Sequence, residues 1–192
     1  MSLKASVTTA DYLPWDEMVV LTQKLERDNK YMLALLIAVG SFTGLRVSDL
    51  LRLTWEQIIG KTHLSVTEHK TKKNRTIKIN QQLSDTVERI FKSKGGFLGD
   101  IILMNPKTKK AYSVQYLNRA LKALKFKYRL TIKRFSTHTM RKTFGRRIWE
   151  GSGYSERAIT MLSEMFNHSS FRITRRYLGI NQQEIEQVYD LL

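Results

Sequence analysis

A mainly α-helical fold with one small antiparallel β-sheet is what this 192-residue sequence predicts, and three observations carry the prediction. Apolar residues recur at three- and four-residue spacing through most of the chain. Only the stretch 63–79 pairs two β-branched runs about a short polar turn. Nothing reads as an internal repeat, a low-complexity run or a Pro-rich linker, so one domain with a substantial core accounts for the length.

Residues 1–14 form an irregular lead-in that ends at Pro14, a residue suited to a helix start. Trp15–Arg27 places Trp15, Met18, Val19, Leu21 and Leu25 at helical spacing, with Thr22 the polar interruption of that face. Lys30–Phe42 is apolar on all sides and reads as a central buried helix, stopped by Gly44 in a left-handed cap. Arg46–Leu53 reads as a short helix with Ser48 and Asp49 in its first turn. His63–Thr67 and Arg75–Ile79 are the two strands, with Lys70–Asn74 as the turn. Leu83–Ser93 is helical and closed by Gly95-Gly96, and Ile101–Met104 is a short strand or the entry to a loop. Val114–Phe126 sets Val114, Leu117, Leu121 and Leu124 against Arg119, Lys122 and Lys125. His138–Trp149 is a helix ended by Gly151 and Gly153. Ser155–Phe166 is a helix with an N-cap serine, and Ala158 stands where a capping box would want Glu. In the tail, Gln182–Leu192, one face gathers Ile185, Val188, Tyr189 and Leu192.

Charge narrows the function. The net charge is +16, and between Asp100 and Glu150 there is no acidic residue but fourteen Lys or Arg. Such a surface suits a polyanion, through phosphate contact and counterion release, and a nucleic acid such as double-stranded DNA is the partner it predicts; a solvated basic face, a ribosomal protein or a membrane-surface protein is the plainer reading. No run of about 18 apolar residues exists to span a membrane. The absence of cysteine excludes disulfides and thiolate metal sites and suits a cytoplasmic protein. No patterned metal cluster and no phosphate-cradling glycine loop occur, so no cofactor, metal or ATP is expected.

Breaking a DNA strand without a metal sets a definite chemical demand. The negative charge of the diester spreads over its non-bridging oxygens in the transition state, and paired guanidiniums match them. A tyrosine hydroxyl can form a phosphoester that keeps the bond energy for rejoining. A lysine can protonate the leaving 5′-oxygen, and histidines can move protons or contact phosphate near neutral pH. The sequence offers Arg46 after a glycine turn, Lys70 at a hairpin tip, His138 and Arg141 three apart on one helix face, and His168 nine residues before Tyr177. Read singly, each has a plainer account. Arg46 could pair with Asp49 at a helix start; the histidines could be structural; Tyr177 could be an ordinary half-buried tyrosine; Lys70, Lys72 and Lys73 could form a solvated patch on the DNA backbone.

In this order the groups resemble the catalytic domain of the tyrosine site-specific recombinases, the phage integrase family. Thr43-Gly44-Leu45-Arg46 with Ser48-Asp49-Leu50 is similar to the box carrying the first arginine, with Asp49 where glutamate is commoner. His69 to Arg75 resembles the hairpin of the catalytic lysine, and aligning Arg75 with the family's arginine selects Lys70. His138-Thr139-Met140-Arg141 matches the HxxR box. Asn167-His168, with Thr174 and Tyr177, matches the last histidine and the nucleophile, with Asn167 in place of the usual glycine. The resemblance covers residues 15–180.

It implies site-specific recombination (integration, excision or inversion) through a 3′-phosphotyrosyl link and a free 5′-hydroxyl, by a homotetramer on DNA. Tyr177 would attack, Arg46 and Arg141 would hold the phosphate, Lys70 would protonate the leaving oxygen, and His138 and His168 would assist. The tail 181–192 resembles the helix that such proteins dock on a neighbouring protomer, and intramolecular packing is the alternative. The family's N-terminal core-binding domain has no counterpart in the fourteen residues before the first helix, which predicts weak DNA binding by this chain alone. Two rival functions remain: relaxation of DNA by the same chemistry, as in type IB topoisomerases, and a non-catalytic DNA-binding regulator. A regulator would not need all six groups.

Overall fold

The computed structural model describes residues 10–180 together with Tyr189 and Asp190. Eight α-helices and two strands occur among the described residues, in the order α1 (Trp15–Arg27), α2 (Tyr31–Thr43), α3 (Val47–Leu50), β1 (His63–Thr67), β2 (Asn74–Lys78), α4 (Gln81–Lys94), α5 (Val114–Lys127), α6 (Thr137–Gly151), α7 (Glu156–Phe166) and α8 (Phe171–Leu178). The expected tail helix lies outside the described residues apart from Tyr189 and Asp190.

Helix α2 is the hub. Ten of its thirteen residues are buried, and it packs against α1, α4 and α6. A helix this apolar is stable only when neighbours cover every face. The amphipathic helices α1 and α4 do so with Met18, Leu21 and Leu25 on one side and Leu83, Val87 and Ile90 on the other. Trp55 and the buried face of α5, Leu117, Leu121 and Leu124, extend the same core. A second, smaller cluster (Trp149, Ile159, Leu162, Phe166, Leu178, Ile180) is shared by α6, α7 and α8. On α7, Leu162 and Phe166 are fully buried, whereas Met161 is exposed.

The strands pair antiparallel with Thr67 opposite Asn74, so Asn74 begins β2 instead of ending the turn. Helix α3 is one turn long, not two. The chain leaves it at Leu51 and re-forms a single 3₁₀ turn, Trp55–Gln57, capped reciprocally by Thr54 and Gln57. The apolar run 101–104 forms isolated bridges, Thr54 with Ile101 and Met104 with Ala111, in place of a strand. Asn80 caps α4, which starts two residues before the first apolar position of its face. Helix α8 had no counterpart in the sequence reading. It spans only eight residues, three of them arginine, and is opened by the Ser170 side chain.

One glycine is fixed by both conformation and space. Gly44 ends α2 at φ +62, and a Cβ there would sit 2.4 Å from the Phe144 ring. Helix α6 can therefore approach the α2–α3 turn closely, and that approach brings Arg141 to the backbone just before Arg46.

Candidate active site

Arg46 is the N-cap residue of α3, in extended conformation, so its side chain leaves the backbone at a point fixed by the Gly44 turn. It does not pair with Asp49. Its guanidinium donates from Nη1 to Glu68 Oε2 at 2.6 Å and from Nη2 to the Phe166 carbonyl at 2.9 Å. The Asp49 carboxylate instead accepts the His69 backbone N–H at 2.9 Å.

Arg141, on the second turn of α6, is buried. It donates to the Gly44 carbonyl and, from Nη2 at 3.2 Å, to the Phe166 carbonyl, and its guanidinium stacks 4.2 Å from the Phe166 ring centroid. Two guanidiniums thus meet at one oxygen, the free carbonyl at the C-terminus of α7, where the helix dipole is negative. Burial, and then the neighbouring Arg46 charge, lower the Arg141 pKa to about 10, which leaves it cationic at neutral pH.

Helix α7 stops at Asn167, which adopts the left-handed conformation (φ 50, ψ 49). Asparagine tolerates this region better than other residues with a side chain, so it can stand where the family uses glycine. Its Oδ1 accepts Lys73 Nζ at 2.8 Å, a contact glycine could not make. His168 follows, with Nδ1 2.9 Å from the buried Thr174 hydroxyl. That bond fixes the ring and leaves Nε2 as its other polar atom. Burial, assisted by Arg141 and Arg46, pushes the His168 pKa down to about 4, so the ring is neutral at pH 7.

Tyr177 lies on α8 with its ring packed edge-on to His168 (centroids 5.3 Å) and Phe166 (5.7 Å), and Lys142 Nζ lies 5.1 Å from its ring centroid. Its hydroxyl is buried and makes no hydrogen bond. Burial drives its pKa up to about 12, against the opposing pull of Arg141 and Arg46. The phenol is therefore fully protonated in the free protein.

Four of the six expected residues, Arg46, Arg141, His168 and Tyr177, share this cluster. His138 lies one helical turn from Arg141 at the N-terminus of α6, on the solvent side, with its pKa lowered by burial and by Lys142 and Arg141. Lys70 is exposed in the β1–β2 turn and is not part of the packed cluster. That turn is a four-residue loop closed by Glu68 N–H to Lys73 O and by Lys72 N–H to Glu68 O, both 2.9 Å, with Lys72 at φ 58.

The sequence reading missed Glu68, which is buried beneath Arg46 and Arg75, and Lys142, which lies over the Tyr177 ring. A carboxylate twenty-two residues from its arginine leaves no local spacing signal. Among the described residues no three His, Cys, Asp or Glu side chains gather as a metal site, and no helix is long and apolar enough to cross a membrane. Away from the cluster, the outer face of α5 exposes Arg119 and Lys122, and the loop 107–110 is exposed throughout.

Comparison with known proteins places the chain in a family. The model of the phage integrase family matches residues 11–184. The probable integrase/recombinase YoeC of Bacillus subtilis (strain 168) is 30% identical over 173 residues, covering 87% of this chain and 91% of that protein. Among solved structures, the fold is shared with XerA recombinase (TM-score 0.71, 16% identity, 99% of this chain and 65% of that one). It is shared also with XerH site-specific recombinase bound to its palindromic difH substrate (0.69, 17%, 98% and 55%). The Tn1549 transposon integrase in complex with circular intermediate DNA has a TM-score of 0.64 at 20% identity, over 91% of this chain and 62% of that one. The chain therefore spans just under two thirds of the XerA chain and about half of the XerH chain. With the family model covering nearly its whole length, this chain belongs to the phage integrase family.

Proposed function

We propose that the chain breaks and rejoins DNA at specific sites, with Tyr177 as nucleophile. The observation that carries the reading is the convergence of Arg46 and Arg141 on one oxygen, with the Tyr177 and His168 rings packed beside it. In the DNA-free protein the Phe166 carbonyl stands where an anionic acceptor would be held, and a scissile phosphate offers the same pair of guanidiniums a stronger, charged partner. The likeness to relatives that are integrases and recombinases supports the same reading.

In the cleavage step the Tyr177 oxygen bonds to phosphorus and the bond from phosphorus to the 5′-oxygen breaks. Lys70 gives its proton to that oxygen, which leaves as a 5′-hydroxyl. The phenolic proton passes to the histidine side of the site, His168 within the cluster or His138 at its mouth. Arg46 and Arg141 carry the charge that builds on the phosphate. One diester replaces another, so the reverse step rejoins the strand without an external energy source. The basic face of α5 and the 107–110 loop lie against the DNA backbone. Paired exchange between two sites would take four copies, and the tail 181–192 is the segment assigned to link them.

A covalent trap tests the reading. Wild-type protein and Tyr177→Phe are incubated with a pool of nicked duplexes of randomised sequence, denatured in SDS, and the protein-linked DNA is sequenced. Adducts from the wild type alone are expected, and they identify the site. Equal adducts from both proteins would remove Tyr177 from its role. DNA bound without any adduct would favour the regulator, and relaxation of plasmids regardless of sequence would favour the topoisomerase-like reading.

A further inference from the structure

Glu68 is a buried charge that this reaction scheme leaves without a role. The residue is 3% exposed and lies just past the last rung of the hairpin, Thr67 opposite Asn74. A carboxylate is buried at tolerable cost only when its oxygens are paired. Here Oε2 takes two donors at once, Arg46 Nη1 at 2.6 Å and the Thr71 hydroxyl at 2.8 Å. Oε1 lies 3.7 Å from Arg75 Nη1, and Arg75 Nη2 is tied to the Thr43 carbonyl at 3.2 Å. Burial acts to raise the carboxyl pKa, but the Thr71 bond and the Arg46 charge outweigh it and hold the group below its ordinary value.

The position of these bonds along the chain is what gives them a role. Lys70 is exposed at the tip of the loop that the Glu68 and Lys73 backbones close. Residues on both sides of it are nevertheless anchored to the α3 region. The His69 N–H is held by Asp49, and the Thr71 hydroxyl is held by the same Glu68 oxygen that holds Arg46. A long amine on a free loop samples many positions, and misplacement of a catalytic group by 1 Å can cost about a hundredfold in rate.

We propose that Glu68 is a positioning residue that locks Arg46 and the Lys70 turn into one unit, so that the group holding the phosphate and the group protonating the leaving oxygen are set by one carboxylate. This rests on the function proposed above. Aspartate at 68 is one methylene too short to reach both donors. Glutamine can accept both bonds but leaves Arg46, Arg75 and Arg141 without their shared counter-charge.

Leaving-group chemistry separates a positioning role from a structural one. A duplex pool randomised around one fixed step is made twice, once with the normal bridging 5′-oxygen and once with 5′-sulfur. Sulfur departs as a thiolate without a proton, so a fault in Lys70 placement disappears on the sulfur pool while a fault in phosphate binding persists. Thr71→Val removes the bond from the turn to Glu68 and keeps the Arg46 ion pair. It should lower adduct yield about tenfold or more on the oxygen pool and match wild type on the sulfur pool, as Lys70→Ala should. Glu68→Ala should fall about 100-fold on oxygen and recover only partly on sulfur, with Glu68→Gln between it and wild type.

Thr71→Val and Glu68→Ala proteins that fold by circular dichroism yet match wild type on oxygen would overturn the assignment, and so would equal deficits on both pools. If Glu68→Ala does not fold, Thr71→Val alone decides. Wild type giving no adduct on either pool would instead remove the cleavage reading itself, an outcome distinct from wild-type activity with indifferent variants.

Discussion

The two halves of the candidate site are held by opposite means. Arg46 and Arg141 are tied by hydrogen bonds to the Gly44 and Phe166 carbonyls and to Glu68, on turns that grow out of the large core around α2. Tyr177 is held only by ring packing and the small α6–α7–α8 cluster, with its hydroxyl unbonded. The difference fits the roles proposed for each group. A phosphate clamp works best when its dipoles are oriented before the substrate arrives, so that nothing reorganises during reaction. A nucleophile with a strong hydrogen-bond partner would have to break that bond before attacking. The polar half is rigid by bonding, and the nucleophilic half is confined by shape.

The sharpest way to break this contrast is to remove a strut from the polar half. Arg141→Ala takes the donor from the buried Gly44 carbonyl, worth about 1–3 kcal/mol when left unsatisfied, leaves the Phe166 carbonyl to Arg46 alone, and deletes one of the two charges proposed to face the phosphate. Adduct formation should fall by about 10²–10³, and urea unfolding should show a loss of about 1–3 kcal/mol. Arg141→Lys should recover part of the stability but little of the activity, because one ammonium cannot span both carbonyls and lacks the planar fork. A stability loss below about 1 kcal/mol would mean that the polar half is not braced in this way.

Much of this frame was legible in the sequence, and the exceptions share a cause. Helices α1, α2 and α5, the hairpin, and the caps at Gly44 and Ser155 announce themselves through local periodicity and local residue chemistry. Arg46, Arg141, His168 and Tyr177 could be picked out because their spacings matched a known pattern. The acceptors that organise them could not. The Phe166 and Gly44 carbonyls belong to the backbone and have no signature, and Glu68 meets Arg46 only after the chain has folded the hairpin back across α3. The local alternative, Arg46 with Asp49, was the natural reading from spacing and is not what forms. Helix α8 escaped because it is only eight residues long, barely two turns over which to read a period, although its two faces are well separated; its serine cap and its docking on α6 and α7 complete it.

A second prediction sharpens the contrast through pH. The folded protein holds the His168 pKa at about 4, whereas an unfolded chain has it near 6.5. Between these values the unfolded state binds a proton that the folded state refuses, so stability should fall as pH drops from about 6.5 towards 4 and be insensitive to this group above that window. His138, also lowered, contributes with the same sign. Urea unfolding of wild type and His168→Asn across pH 8 to 4.5 should show a shallower decline in the variant. Parallel curves would mean that His168 is not shielded with its cationic neighbours in the way the geometry requires.

The smallest effect tests the nucleophilic half directly. Burying the Tyr177 hydroxyl without a partner destabilises the folded state, since its hydrogen bonds to water are lost and not replaced. Tyr177→Phe keeps the ring contacts with Phe166 and His168 and removes only that hydroxyl. The variant that forms no adduct should therefore be the more stable protein, by about 1 kcal/mol, which is a rise in Tm of roughly 2–4 °C for a domain of this size. A fall in Tm would show that the hydroxyl is bonded in solution, and the distinction between a bonded clamp and a shape-confined nucleophile would fail. A rise would mean that the free protein holds its nucleophile in a costly environment that binding of the phosphate between Arg46 and Arg141 relieves. The stability given up at Tyr177 would then be part of how the site is set for attack.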